Sequence, residues 1–194
     1  MKKLAKPSAL MNTKTMKNGT NSLYLIGLLI LLTLFTSCNT VNNEKEIKNL
    51  VHQIYKEPDP YRNFEVTDHF FSKNLETLVL EAKQVEKNSI ENIPEDERST
   101  IKPHILEGDI FSSLYEGYES YAITKTSLKK DTALVELKFT NKLFGTSQSW
   151  TDELIIVDKN GWKLDNVIYK KDDSNSKNLK NVLSNFIKAY KENN

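Results

Sequence analysis

Cysteine is almost missing from this 194-residue chain: Cys38 is the only one, so no disulfide can form within it. Stability outside the cytoplasm must then come from a hydrophobic core. Arginine is nearly as scarce, with only Arg62 and Arg98 present. Arginine is the side chain best matched to phosphate groups, so nucleic acid is not an expected partner. The three histidines, His52, His69 and His104, are scattered and show no His-Glu-x-x-His or similar zinc spacing. Neither a metal nor a cofactor is expected, and no internal repeat is visible. A long apolar run is lacking too. The longest, Leu23 to Phe35, falls short of the roughly 20 residues a membrane-spanning helix needs.

What is there begins with that run. Residues 1–22 carry Lys2, Lys3, Lys6, Lys14 and Lys17 and no acidic residue, and the apolar stretch ends in Thr36-Ser37 before Cys38. A basic segment, a short apolar core and a small-residue cleavage site make a secretory signal peptide. The basic segment is long for its class, and translation from Met11 or Met16 in place of Met1 would shorten it to the usual size. Leu34-Phe35-Thr36-Ser37-Cys38 resembles the lipobox of bacterial lipoproteins, with Phe35 standing where leucine is usual. That resemblance implies a diacylglyceryl thioether on Cys38 and cleavage after Ser37. Two or three acyl chains, at about 0.8 kcal/mol per buried CH₂, hold a protein that one chain would not. Asn39, in place of aspartate after the cysteine, resembles lipoproteins that reach the outer membrane, facing the periplasm or the exterior. The alternative is an incidental thiol at the end of an uncleaved anchor helix.

Cleavage divides the chain into a signal peptide at 1–37, a lipidated tether at 38–43 and one domain at 44–194. It also changes the sign of the charge. The precursor is +1, but the mature chain keeps 22 of its 27 Lys and Arg against 26 Asp and Glu, a net −4. In the domain, Ile47, Leu50, Val51, Ile54 and Tyr55 recur with helical spacing, and Pro58 and Pro60 are expected to stop that helix. A linker at Asp59–Val66 and an N-cap at Thr67-Asp68 lead to a second helix with Phe71, Leu75, Leu78, Ala82 and Val85 on one face, running to about Asn88, with Ser72 as a cap that would split it. Ser89–Lys102 reads as an exposed loop. Pro103–Tyr118 reads as a loop with one helical turn, tucked in by Ile105, Ile110, Phe111 and Leu114.

The period then changes to two. Ala133, Val135, Leu137 and Phe139 mark a half-buried strand, preceded by a strand at Glu119–Leu128 and the turn Lys129-Lys130-Asp131. Asn141–Gln148 joins it to a strand at Ser149–Asp158. Asn160-Gly161 accepts the positive φ angles of a tight hairpin, and Trp162–Tyr169 returns. Leu179, Val182, Leu183, Phe186, Ile187 and Tyr190 stripe a final helix. The expected class is α+β: N-terminal helices packed on a curved, cone-like antiparallel sheet of about four strands, with a C-terminal helix.

Phe70-Phe71-Ser72-Lys73-Asn74-Leu75, Gly108-Asp109-Ile110-Phe111, Trp150-Thr151-Asp152-Glu153 and the run from Asn160 to Tyr169, in that order, resemble small bacterial lipoproteins carrying the domain of unknown function numbered 3828. The resemblance spans roughly 44–170, with Ile110 where relatives have proline. It implies a fold of the nuclear transport factor 2-like and cystatin-like kind, and no catalytic residues to carry over.

In a cone fold the open end between sheet and helices is the default ligand pocket. Tyr55, Tyr61, Phe70, Phe111, Tyr115, Trp150 and Trp162 are its candidate lining, and each also reads as plain core. Asp109 is the leading catalytic candidate, since partial burial would raise its pKa toward that of a general base; Asx-turn capping of the same loop is the commoner explanation for such a residue. His104 is its candidate partner. By alternation Trp150 shares a strand face with Asp152, and Trp162 with Leu164 and Asn166. An acid or amide beside a tryptophan suits a sugar or peptide ligand, and suits a solvent-facing sheet edge as well.

Three functions are compatible with these features. The first is a membrane-tethered accessory domain of the cell envelope, binding an envelope protein or a small apolar, sugar or peptide ligand. The second is an inhibitor or immunity-type lipoprotein that blocks a toxin or hydrolase. The third is an enzyme of the ketosteroid-isomerase kind, resting on fold analogy alone.

Overall fold

The chain alternates side chains over four segments, broken once in the first and once in the last, and these become a four-stranded antiparallel meander in the order β1-β2-β3-β4. The strands are β1 Ser120–Lys129, β2 Thr132–Leu143, β3 Thr146–Asp158 and β4 Trp162–Ile168. The structure is a computed structural model that describes residues 42–56, 59–63, 69–143, 145–171 and 176–193. The expected signal peptide and lipobox, Cys38, residues 39–41 of the expected tether, Pro58 and Thr67-Asp68 lie outside the described residues, while Asn42 and Asn43, expected in the tether, are already helical.

Among the described residues four α-helices accompany the sheet: α1 over residues 42–55, α2 Pro60–Asn63, α3 Lys73–Glu91 and α4 Leu179–Asn193. This is the expected α+β class. Residues from Asn43 onward form one compact unit. Along β2 the inward residues Ala133, Val135, Leu137 and Phe139 are all fully buried. Their neighbours in β3 and β4 include Leu154, Ile156 and Leu164, and the same core takes in Leu50, Leu75, Val79, Leu179 and Leu183 from the helices. Each such aliphatic side chain contributes about 1.5–3 kcal/mol relative to exposure.

Helix boundaries follow from local chemistry. The Ser72 hydroxyl accepts from the Leu75 N–H (3.3 Å) and caps α3. Asn178 caps α4 the same way, accepting from the Asn181 N–H (3.0 Å). Ser72 therefore starts the helix and does not divide it. Phe71 lies ahead of the helix, in an isolated parallel bridge with Leu164, and Val79 takes the fully buried place expected of Leu78. The helix also runs past Asn88 to Glu91, and a 3-10 turn at Glu95–Glu97 interrupts the exposed segment beyond it. Pro103–Tyr118 holds no helical turn.

Two further expectations are corrected. Pro60 opens the short helix α2 where a linker was expected, because a proline at the first helical position sacrifices no hydrogen bond. The β2–β3 connection is also shorter than Asn141–Gln148, since pairing continues from Asn141↔Gln148 to Leu143↔Thr146. Asn160 and Gly161 do adopt positive φ, 60° and 107°.

A bulge in β4 joins the sheet to the helices. Ile155 pairs with Asn166 and Ile156 with Leu164, leaving Asp165 as the extra residue. The insertion turns Val167 inward, fully buried, and takes Asn166 off the face it was expected to share with Trp162 and Leu164. Asp165 accepts from the Ser72 hydroxyl (2.6 Å) and pairs with Lys180 (2.7 Å). Asn166 accepts from the Lys180 backbone N–H (3.1 Å). One inserted residue thus ties β4 to the starts of both long helices. The outer edge of β4 is covered as well: Ser72 N–H donates to the Leu164 carbonyl, Leu164 N–H to the Phe70 carbonyl and Tyr169 N–H to the Lys177 carbonyl.

Candidate functional site

The segment from His104 to Tyr118 has no ladder of its own, so its backbone groups must find partners elsewhere. They find acidic side chains and tyrosines. Gly108 turns the chain at φ +71°, and a Cβ there would sit 2.5 Å from the Tyr115 ring and 2.6 Å from the Tyr115 carbonyl. Only glycine allows that approach. Next to it, Asp109 N–H donates to the Tyr115 carbonyl (2.9 Å). The Asp109 carboxylate accepts from the Phe111 N–H (2.7 Å) and the Ser112 hydroxyl (2.9 Å), which is an Asx turn. Those two bonds favour the ionised form, yet burial outweighs them, and Asp109 is pushed up to about 6 with the Asp59 and Asp152 charges adding to the rise.

Asp152, on β3, is fully buried. It accepts from the Ser113 N–H (2.8 Å), the Ser113 hydroxyl (2.7 Å) and the Lys170 N–H (2.9 Å). Tyr55 donates to the Phe111 carbonyl (3.0 Å), Tyr169 to the Ile110 carbonyl (2.5 Å) and Asn141 to the Gly117 carbonyl (2.7 Å). Burial and the Asp109 and Asp152 charges push both tyrosine hydroxyls far above their usual range, so they remain donors. Together these residues form a polar clamp that seats the loop against the sheet.

The candidate pocket residues do not converge. Tyr55, Phe111 and Trp150 are core, with Tyr55 and Trp150 flanking Phe139 at ring-centroid distances of 5.6 Å each. Trp150 Nε1 is buried without a partner among the described residues. Tyr115 is 60 % exposed. Tyr61 is buried and donates to Glu86 (3.0 Å). Trp162 is buried in the core too, and with the partly buried Phe70 it borders a surface groove. His104 does not meet Asp109: its Nε2 lies 3.0 Å from the Phe186 carbonyl and its ring stacks on Phe186 at 4.3 Å.

Sequence reasoning missed Glu86. It is buried on α3, where it accepts from Tyr61, from Arg62 (3.0 Å) and from the Leu106 N–H (2.7 Å), while Arg62 also bonds the Leu106 carbonyl. Its place beside Val85 on the apolar stripe was the only local signal.

Three hollows are lined by described residues. One of about 290 Å³ lies among Asn92, Lys102, His104 and Tyr190. The other two, each about 430 Å³, adjoin one another because both include His69 and Lys163. One extends to Glu46, Asn49 and Gln53 of α1, the other to Ser72, Lys73, Glu76 and Lys159. Asp109 lines none of the three. Among the described residues no group of three or more His, Cys, Asp or Glu is placed to hold a metal ion, and no helix is long and apolar enough to cross a membrane. No protein-family model, no curated protein and no solved structure matches the chain.

Proposed function

We propose that this protein is a lipid-anchored binding or accessory domain of a bacterial cell envelope, held to the membrane by acyl chains on Cys38. The observation that carries the reading is the pattern Leu34-Phe35-Thr36-Ser37-Cys38, in a chain with no other cysteine. The signal core before it and the polar tether after it fit a protein cleavable at Ser37 and able to stand clear of a bilayer.

Support for binding over chemistry comes from the buried acids. Asp109 bonds the Phe111 N–H and the Ser112 hydroxyl, and Asp152 bonds three groups. A general base must reach a substrate proton; these carboxylates instead hold their own loop. Tyr55 and Tyr169, whose hydroxyls feel the Asp109 charge, direct them at backbone carbonyls, which weakens the isomerase analogy.

The test is the mass of the N-terminal peptide from protein expressed with its own signal in a bacterial host. The expected peptide begins at Cys38 and carries a diacylglyceryl group, and Cys38→Ala abolishes both that mass and partition into the detergent phase. A peptide that begins upstream of Cys38, or an unmodified Cys38 thiol, overturns the reading.

A further inference from the structure

We propose that the groove holding His69, Lys73, Lys159 and Lys163 is a contact surface for the phosphate headgroups of an anionic phospholipid bilayer. This rests on the reading of Cys38 as a lipid anchor and adds which face of the domain meets the membrane.

Charge is the first observation. The mature chain is net acidic, at 22 Lys and Arg against 26 Asp and Glu, yet this groove gathers three lysines from two elements. Lys159 sits in the β3–β4 turn and its ammonium has no carboxylate partner among the described residues. Lys163 gives one proton to the His69 carbonyl and keeps two for other acceptors. Lys73 is held 3.3 Å from Glu76. The acids nearby are Glu76, Glu46 and Asp158, and Asp158 accepts from the Gly161 N–H (3.1 Å). The part of the groove at the hairpin therefore carries positive charge while the rest of the surface carries the acidic excess.

Shape and side-chain type are the second. The two hollows, about 430 Å³ each, run together through His69 and Lys163, so the depression is open and shallow enough to lie along a surface. Trp162 is only 7 % exposed and Phe70 is packed against the core, so both form the apolar wall of the groove and contact with headgroups falls to the lysines.

Reach is the third. Helix α1 contributes Glu46, Asn49 and Gln53 to the groove. From Cys38 to residue 42 the chain can span at most about 14 Å, whatever its conformation, and Glu46 lies about 6 Å further along the helix axis. An acylated Cys38 therefore holds this end of the domain within about 20 Å of the bilayer, close enough for the groove to turn into the roughly 8–10 Å layer in which the membrane charge acts on lysines. An anionic surface repels the acidic remainder of the domain and attracts the groove, which selects one orientation.

The experiment uses the mature lipidated protein in two vesicle preparations: equal phosphatidylglycerol and phosphatidylethanolamine, or phosphatidylcholine alone. Lysine acetylation is read residue by residue by mass spectrometry. Lys73, Lys159 and Lys163 are expected to react roughly threefold or more slowly in the anionic vesicles, with Lys87 and Lys188 unchanged. About 1 M salt, where the Debye length falls to about 3 Å, should remove the protection. In the double variant Lys159→Gln, Lys163→Gln the protein stays acylated but Lys73 loses its protection. Equal labelling of Lys159 and Lys163 in both preparations overturns the proposal. Protection by soluble glycerol phosphate, with no difference between the vesicles, also overturns it and assigns the groove to a free phosphoester. The same digests report the acyl group on Cys38. Loss of the anchor reading is therefore seen separately, and protein added to preformed vesicles still tests the groove.

Discussion

Replacing Asp109 with asparagine isolates one buried carboxyl, and its effect on stability has a definite sign and pH window. Asp109 is pushed up from 3.8 to about 6, chiefly by burial. A raised carboxyl pKa means that the folded protein holds the proton more tightly than the unfolded chain. Below pH 3.8 both states are protonated and the favourable contribution is complete. Between 3.8 and 6 the unfolded chain has released the proton and the folded protein has not, so stability falls as pH rises. Above about 6 both are ionised and the contribution is gone. A difference of about two pH units corresponds to about 3 kcal/mol.

Asparagine keeps the main bond, since its Oδ1 can still accept from the Phe111 N–H. Its amide takes the place of the oxygen that faces the Ser112 hydroxyl, and that hydroxyl can turn toward the Leu114 carbonyl at 3.4 Å. The variant therefore folds and has nothing to titrate at this position. The assay is urea unfolding of both proteins from pH 4 to pH 8. Every other carboxyl cancels in the difference, leaving Asp109. The variant's stability relative to the parent should rise by about 2 kcal/mol between pH 4 and pH 6 and level off above about pH 7. A difference that stays constant within about 0.5 kcal/mol over that range, close to the additivity error of such comparisons, refutes the account of Asp109 as a buried acid held by its own loop.

Two other predictions concern how the same loop is held. Gly108→Ala should destabilise by about 2 kcal/mol or more in thermal or chemical unfolding, and adding Tyr115→Ala should not rescue it, because the Tyr115 carbonyl is still 2.6 Å from the new Cβ; full rescue would place the conflict in the ring alone. Glu86→Ala leaves the Tyr61 hydroxyl, the Leu106 N–H and Arg62 without their acceptor and should cost about 3–5 kcal/mol, whereas Arg62→Ala, with its side chain 44 % exposed, should cost about 1 kcal/mol. Equal losses from the two would show that the pair's charge, and not the buried acceptor, is what matters.

Strands and helix faces were readable because their signal is periodic. Ala133, Val135, Leu137 and Phe139 alternate with exposed Leu134 and Lys138, and Ile47, Leu50, Val51, Ile54 and Tyr55 all reach the core from one helix face. Asn160-Gly161 carried the hairpin because the backbone there needs φ angles that few residues accept. The rest depended on partners distant in the chain. Asp152 was correctly placed on the Trp150 face, but what makes it a clamp is Ser113 and Lys170, 39 and 18 residues away. The Asp165 bulge inverted the expected position of Asn166 because nothing in the strand pattern announces an inserted residue; its cause lies in Ser72 and Lys180, on two helices. Pro60 was read as a stop because proline ends helices and begins them with equal ease, and only its position relative to α2 decides which.

Why the interior of this domain keeps ionisable groups at all is explained by the loop they hold. An apolar pair in place of Asp152 and Ser113 would pack at least as stably in principle, but it would leave the Ser113 and Lys170 N–H groups without the acceptor they now share. Backbone donors in an irregular segment have no ladder to satisfy them, so a buried acceptor is the residue that lets 104–118 be irregular and still closed against the sheet. The same reasoning separates the two acid populations of the chain. Asp109, Asp152 and Glu86 face inward and bond the domain's own backbone, and Asp165 joins Ser72 to Lys180 at the bulge, so none of the four is free to meet a ligand without undoing the fold. Lys159 and Lys163 face outward with protons to give. On the proposed membrane contact, binding falls to these outward lysines, and the buried acids serve the fold alone.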